Sequence, residues 1–363
     1  MFDFTHAFKL QKVDYSGRKE CLGVSSAGVV KSDKFFPVYD LDGVLHVFKP
    51  LSRTKPMTTG AFAAAEVFWS NVLNEYFCRM PIYRPAVCRG YAEAVPKYYE
   101  YGTLVPYVAG EGEKMVNLLE YFTEHPDPAV DIGGYVNFCM KAYDYTAFYD
   151  TGLFADRPDL GRNLSMQVLC SILGGDQNFH YENVAFICSP DGSVLRMAPM
   201  LDHEFSAQFL FPDDLGQNRS LTEMICRYLS GTETEHDNFA HGLRTYGTMA
   251  GNMRCIMERF PEVVSEFVHG IDRMCEDMRL VRKDRIAELV DALRGTGLFF
   301  PCSSDAYNIG ISRYKKQDEQ EAKVMEMLCP AMDLESLLPG FVVQAVDGII
   351  DIAYCMKDYL LNS

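Results

Sequence analysis

Residues 174–187 read GGDQNFHYENVAFI, and residues 201–204 read LDHE. The first stretch places Asp, Asn, His and Glu between a helix-like apolar run at 164–173 and a strand-like apolar run at 184–188. Binding and catalytic residues are often found on polar segments that a rigid scaffold holds in this way. Carboxylate and amide oxygens are also the ligands that Mg²⁺ prefers. The stretch therefore predicts a magnesium and phosphate site on a loop between a helix and a strand.

The residues of this loop predict separate roles. Asp176 supplies a carboxylate that can orient or deprotonate an acceptor hydroxyl, and Asn183 supplies an amide oxygen for a metal. Asp202 follows a second short strand at residues 194–197, and the turn at residues 190–192 predicts a hairpin that brings Asp202 to the same end as Asn183. The alternative interpretation is that these residues form turns and cap backbone groups.

A second pair of candidates lies in the N-terminal part of the chain. Lys49 ends a predicted strand at residues 44–49, and Glu66 lies within a predicted helix at residues 60–79. A strand lysine can hold nucleotide phosphates while a helix glutamate fixes its position by an ion pair. The alternative for Lys49 is an ordinary solvated residue at a strand end.

A loop of small residues at 25–31 precedes those strands. Its members Ser26 and Gly28 belong to a segment whose backbone N–H groups can lie over phosphates. Because the glycine spacing matches no dinucleotide fingerprint, an ordinary turn is the competing interpretation.

The order of the elements predicts an α+β fold with two lobes. Residues 1–108 are β-rich with one long helix and form the predicted nucleotide-binding lobe, and residues 109–363 form a larger, mostly helical lobe that carries the polar loop and the hairpin. We place the boundary near residues 107–112. Further expectations are a turn at 40–43, extended chain at 92–97 and 103–108, and helices at 114–123, 253–278 and 281–293.

Composition narrows the function classes. The 363 residues are 48% hydrophobic, which suffices for a large core, and the net charge of −16 argues against general nucleic-acid binding. The twelve cysteines are scattered without a C-x-x-C pair, as expected of reduced thiols in a cytoplasmic protein. No apolar run has the length of a membrane span. A nucleotide-binding site remains compatible with the negative net charge, because it needs only a few local cations and a metal.

Taken in order, these motifs resemble those of the HipA-like serine/threonine kinases, including their smaller CtkA-type relatives. The resemblance covers roughly residues 25–206 and implies a bilobal protein-kinase-like fold, with ATP and Mg²⁺ as cofactors and a protein as the acceptor. It implies that Lys49 binds ATP phosphates and that Asn183 and Asp202 bind magnesium. It also implies a hinge at residues 103–107 that meets the adenine, through Val105 and Tyr107.

The chain departs from the pattern of that family at one position. The family reads Asn-x-Asp-x-His-x-x-Asn, whereas this chain has Asp176 and Asn178 exchanged, so that Asn178 stands at the position of the catalytic base. An amide does not accept a proton usefully, so either Asp176 acts as a relocated base or the chain binds nucleotide without efficient transfer. The alternatives are therefore a pseudokinase, a small-molecule phosphotransferase of the same fold, and a helical scaffold whose polar loop is structural.

Overall fold

A computed structural model describes most of the chain. The described residues are 3–23, 35–52, 56–78, 80–95, 98–132, 144–175, 179–200, 226, 229, 243–296, 298 and 334–362. They form a mixed α+β structure with two sheets, so the predicted α+β class is confirmed. The division into two lobes at residue 108 stays a prediction.

The N-terminal sheet has six strands in the order β1-β5-β6-β4-β3-β2. Neighbouring strands are antiparallel except for β1 and β5, which are parallel. The strands are β1 Gln11–Asp14, β2 Glu20–Gly23, β3 Phe35–Leu41, β4 Val44–Ser52, β5 Arg84–Arg89 and β6 Tyr98–Pro106. The predicted extended chain at 103–108 is thus the end of the long strand β6 and the residues that follow it.

The predicted hairpin between β3 and β4 is present. Leu41 pairs with Val44, so the turn consists of Asp42 and Gly43. Their φ values of 55° and 81° are both positive, which is typical of a two-residue type I′ turn. Asp40 Oδ1 accepts a hydrogen bond from the Gly43 amide at 2.8 Å and closes the turn.

The long helix after this hairpin is α2, Pro56–Tyr76, which packs on β4, β5 and β6. It begins before the predicted residue 60 because proline is tolerated in the first turn of a helix. Its residues Trp69, Val72 and Leu73 are buried, and Trp69 is the single tryptophan of the chain. The helix therefore carries Glu66 on a rigid, well-packed element.

Two expectations from sequence are wrong. The predicted extended segment at 92–97 contains the short helix α3, Tyr91–Ala94, because the Tyr91 ring is fully buried against Phe48 and the left-handed Gly90 (φ 76°) turns the chain. The predicted helix at 114–123 begins as strand β7, Lys114–Asn117, because pairing with another strand overrides the helical spacing.

That partner strand belongs to a second sheet of three strands in the order β7-β8-β9. Strand β8, Ala185–Cys188, is buried along its whole length, and β9 comprises Val194–Met197. Gly192 has a φ of 88° in the turn between them, so the predicted hairpin is confirmed. The Asn117 side chain accepts a hydrogen bond from the Glu120 amide at 2.7 Å and starts the helix that follows β7.

Helices form most of the remaining described chain. They are α1 Phe4–Ala7, α4 Leu118–Glu124, α5 Gly152–Asp156, α6 Pro158–Leu173, α7 Leu243–Arg259, α8 Pro261–Leu280, α9 Ile286–Gly295 and α10 Leu334–Asn362, with a π-helical turn at Val281–Arg285. The predicted helix at 253–278 is interrupted at Phe260, since the residue before a proline is disfavoured in helical conformation. Within the described part of the chain, no helix is both long and apolar enough to cross a membrane.

The C-terminal end of α2 is anchored to α8. Tyr76 Oη donates a hydrogen bond to Asp277 Oδ2 at 2.6 Å, and the rings of Phe77 and Phe267 lie 5.0 Å apart. Gly270 leaves the room for this contact, since a Cβ there would meet the Phe77 ring at 2.7 Å. The helix that carries Glu66 therefore shares a core with the helical part of the protein.

Candidate functional site

The centre of the candidate site is the ion pair between Lys49 and Glu66. Lys49 Nζ on β4 donates to Glu66 Oε1 on α2 at 2.6 Å. The Glu66 side chain is 2% exposed and that of Lys49 is 24% exposed. A buried carboxylate is costly unless a cation and hydrogen bonds compensate it, so the pair fixes the ammonium against the helix while one side of the lysine remains accessible. The predicted contact between strand and helix is therefore present.

Strand β6 supports Lys49 from the other side. In the register of β4 and β6, Lys49 lies opposite Thr103 and Pro50 lies opposite Gly102. A Cβ on Gly102 would lie 2.1 Å from the Lys49 carbonyl oxygen, so only glycine permits the observed approach of the two strands. The buried Thr103 hydroxyl has no hydrogen-bond partner among the described residues. Thr103 therefore lies on the same face of the sheet as Lys49 and belongs to the packed support beneath it.

The predicted hinge is the end of β6. Val105 lies opposite Val47 and is half-buried. The Tyr107 amide donates to the Leu45 carbonyl at 2.8 Å, which continues the pairing one residue beyond the strand. Val105 thus lies on the strand that also carries Thr103, and Tyr107 directly follows that strand. Their contact with an adenine stays a prediction.

Asn183 lies in a rigid turn directly before β8. The Asn183 side chain is buried. The Asn183 backbone N–H donates to the His180 carbonyl at 2.8 Å, and the carbonyl of the next residue, Val184, accepts from the Leu118 backbone N–H at 2.8 Å. His180 Nδ1 accepts a hydrogen bond from the Glu182 amide at 3.2 Å. His180 therefore holds the shape of the turn, which agrees with a positioning role. The side-chain amide oxygen of Asn183, on a backbone fixed in this way, is a chemically suitable ligand for Mg²⁺.

Two tyrosines that sequence reasoning missed hold the same loop. Tyr145 Oη donates to the Phe179 carbonyl at 2.9 Å, and Tyr181 Oη donates to the Asp144 carbonyl at 2.6 Å. Their rings lie 5.5 Å apart in an edge-to-face arrangement. The aromatic run at residues 143–149 was the available signal, but its partner is distant in sequence. These contacts fix both ends of the segment that leads to Asn183.

The loop also meets the helix that carries Glu66. Gly174, at the end of α6, lies so close to Trp69 that a Cβ there would be 2.5 Å from the indole nitrogen. Trp69 is three residues after Glu66 on α2, so the start of the polar stretch and the Lys49–Glu66 pair are built against one helix. The next residue, Gly175, has a φ of 60° and redirects the chain out of α6.

The remaining predicted site residues lie outside the described residues. They are Ser26, Gly28, Asp176, Asn178 and Asp202. The role of Asp176 as the base and the pairing of Asn183 with Asp202 therefore stay predictions. Within the described ranges, no group of three or more His, Cys, Asp or Glu side chains is arranged to hold a metal ion.

A charged clamp joins the segment after β6 to the β8–β9 hairpin. Arg196 on β9 donates two hydrogen bonds of 2.7 Å to Glu113, and Glu113 Oε2 also accepts from the Gly110 amide at 2.7 Å. Bidentate pairing of this kind fixes orientation as well as distance. Arg196 is therefore committed to Glu113, and its geometry argues for positioning rather than for neutralising a phosphate.

This clamp predicts a defined pH dependence. The Arg196 guanidinium, with the Gly110 amide, lowers the pKa of Glu113 from 4.5 to about 2. Because the pKa is lowered on folding, the contribution of the pair to stability is complete above about pH 4.5 and is lost as the pH falls through about 2. We expect the difference in melting temperature between the wild type and Glu113→Gln to be constant from about pH 7 to 5 and to vanish towards about pH 2. Loss of the difference already near pH 5 would contradict the pairing.

Comparisons with known proteins do not assign a family. No family model matches the chain, and no curated protein matches it. Among solved structures, the chain is similar to CtkA, a proinflammatory kinase of Helicobacter pylori, with a TM-score of 0.41 and 11% identity, over 80% of this chain and 99% of that one. A likeness of this extent carries no argument for a shared activity, so the functional proposal depends on the geometry of this chain.

Proposed function

We propose that the protein is a cytoplasmic ATP- and magnesium-dependent kinase that transfers the γ-phosphoryl group to a Ser or Thr hydroxyl of a protein. The observation that carries this proposal is the Lys49–Glu66 pair, at 2.6 Å with a buried carboxylate. A flexible ammonium positions phosphate poorly unless a second group fixes it, and a strand lysine held by a helix glutamate is a recurring solution. In phosphoryl transfer, positioning and charge neutralisation supply most of the catalysis.

The nucleotide would lie between the end of β6 and the polar loop. Val105 and Tyr107 would border the adenine, Ser26 and Gly28 would cover the phosphates, and Lys49 would bind them. The accessible side of the Lys49 side chain is compatible with a polar ligand there.

The remaining roles fall to the loop and the hairpin. Asn183 and Asp202 would hold the magnesium ion, which when bound supplies neutralisation of charge on the phosphates. Asp176 would orient the acceptor hydroxyl and take its proton. The rigid turn around Asn183, with its backbone fixed to His180 and Leu118, supports this assignment, because a metal ligand must not move during transfer.

Replacement of Asp202 by Ala tests the metal assignment. We expect transfer of ³²P from γ-labelled ATP to the chain itself, or to casein as a generic acceptor, to fall at least about 100-fold, because the charge on the phosphates is no longer neutralised. The matched control is Glu182→Ala, which removes an exposed carboxylate from the same region and should leave labelling unchanged. Equal labelling by Asp202→Ala and the wild type would exclude Asp202 as a ligand.

Asn178 at the expected base position favours one competing function, a pseudokinase that binds nucleotide without transfer. Both functions predict that magnesium-ATP raises the melting temperature, because a ligand that binds only the folded state stabilises it. Only the kinase predicts label on an acceptor. A thermal shift without label would select the pseudokinase, and the absence of both would exclude nucleotide binding.

A further inference from the structure

The described structure brings two cysteines that are distant in sequence to one turn of the C-terminal helix. The Cys226 thiol donates a hydrogen bond to the Asp351 carbonyl on α10, with a sulfur–oxygen distance of 3.6 Å. Cys355 is one turn further along the same helix, and a helical side chain lies over the turn that precedes it. The Cys355 side chain therefore lies over the turn that Cys226 contacts, and the two thiols are close enough for each to shift the pKa of the other.

Both sides of this contact are anchored. Cys226 and Leu229 are helical, and Leu229 is buried in the main core. Helix α10 packs against α6, α8 and α9, and its residue Met356, next to Cys355, is fully buried. The two sulfur atoms are thus held near each other by the packing of their own elements.

The pair is also accessible and chemically suited to oxidation. Both cysteines are half-buried, so small oxidants can reach them. The neighbouring Cys226 thiol lowers the pKa of Cys355, although burial and the carboxylates of Asp351 and Asp358 oppose this effect. The thiolate is the reactive form of cysteine. By contrast, burial raises the pKa of the buried thiols of Cys88, Cys170, Cys188 and Cys275.

We propose that Cys226 and Cys355 form a redox-sensitive pair that hydrogen peroxide converts to a disulfide. The bond ties the chain that follows the predicted metal ligand Asp202 to the C-terminal helix. In a reducing cytoplasm such disulfides are transient and act as sensors, which fits two free thiols that lie at the same turn of α10. The proposal does not depend on the kinase assignment, because its readout is a covalent bond.

The reaction balances with peroxide as the only oxidant. The Cys355 thiolate attacks one peroxide oxygen, the O–O bond breaks, and the hydroxide that leaves takes up a proton to become water. The Cys355 sulfur then carries an OH group. The Cys226 sulfur attacks this sulfur, the S–S bond forms, and the second oxygen leaves as water. Two thiols lose two electrons and two protons, and peroxide becomes two water molecules.

Peptide mapping tests the proposal. The reduced full-length protein is treated with one equivalent of hydrogen peroxide, alkylated and digested without reductant. Trypsin alone leaves Cys329 and Cys355 in one peptide, so a second protease that cleaves at Asp351 is needed. We expect the Cys226–Cys355 cross-linked peptide in about tenfold higher yield than a Cys78–Cys170 cross-link, which involves a fully buried thiol. Dithiothreitol should cleave the Cys226–Cys355 cross-link.

Variants make the result decisive. Cys355→Ser and Cys226→Ser should each abolish the cross-link, and the half-buried Cys255→Ser should leave it unchanged. Circular dichroism under reducing conditions shows whether each variant is folded, and Cys355→Ala serves if the serine is not tolerated. In the wild type, oxidation should raise the melting temperature by about 5 °C, since the bond closes a long loop. Oxidation of Cys355 to a sulfinic acid without the cross-link, or a cross-link between two molecules, would overturn the proposal.

Discussion

Replacement of Lys49 by Met is expected to abolish the thermal stabilisation by magnesium-ATP. It is also expected to lower the transfer of label at least about 100-fold. Without the ammonium the phosphates lose a cation, and the Glu66 carboxylate, which is 2% exposed, keeps its charge in a buried place. Removal of one member of a buried pair costs about 3–5 kcal/mol. We therefore expect a loss of roughly 3 kcal/mol in the free energy of unfolding, at the low end because Lys49 is partly exposed.

A double variant separates folding from binding. In Lys49→Met/Glu66→Leu both charges are absent, and replacement of a buried ion pair by apolar residues is often close to neutral. This protein should unfold at nearly the wild-type urea concentration and still lack nucleotide binding and transfer. Trp69 is buried one turn after Glu66, so its fluorescence reports both unfolding and changes around the pair. A stable double variant that binds magnesium-ATP like the wild type would exclude Lys49 from the nucleotide site.

Replacement of Gly102 by Ala is expected to lower the free energy of unfolding by about 3 kcal/mol or more. The added Cβ would lie 2.1 Å from the Lys49 carbonyl oxygen and 2.8 Å from the Pro50 Cα. Both contacts are with backbone, so no side chain can move aside and β4 and β6 must separate. Lys49 is on β4, and we therefore expect nucleotide binding to weaken together with stability. Urea unfolding followed by Trp69 fluorescence measures the first effect, and thermal shift with magnesium-ATP measures the second.

The control for this variant is Gly251→Ala in helix α7. A Cβ at Gly251 would meet no atom within 4 Å. Alanine is preferred to glycine inside a helix, so this variant should be as stable as the wild type or more stable by about 0.5–1 kcal/mol. If Gly102→Ala behaved like this control, the close approach of β4 and β6 would not be required.

Several parts of the fold follow from local sequence. The alternation before and after residues 40–43 predicted the hairpin, since Asp and Gly accept the positive φ that its turn needs. The spacing of apolar residues predicted α2, and with it the position of Glu66 relative to Lys49. That pair could be predicted because a strand end and a following helix on the same sheet have few ways to pack. The turn at Asn183 was predicted in the same way, from a polar run between two apolar elements.

Other parts depend on partners that are remote in the chain. Helix α3 forms because Tyr91 is buried against Phe48, and β7 forms because it pairs with β8, so local spacing was misleading at both positions. The ion pair between Arg196 and Glu113 likewise forms because β9 lies close to the segment that follows β6.

The sequence by itself thus determined the α+β class, the hairpin, the helix with Glu66 and the residue types of the candidate site. Only the tertiary structure decided how these residues are held. Gly102 allows β4 and β6 to approach closely, and Tyr145 and Tyr181 hold the loop before β8 by hydrogen bonds. Packing of α10 places Cys355 near Cys226. The physical reason is that periodicity and turn chemistry act over a few residues. Close approaches, buried hydrogen bonds and thiol contacts instead arise between segments whose meeting is set by the packing of the whole core.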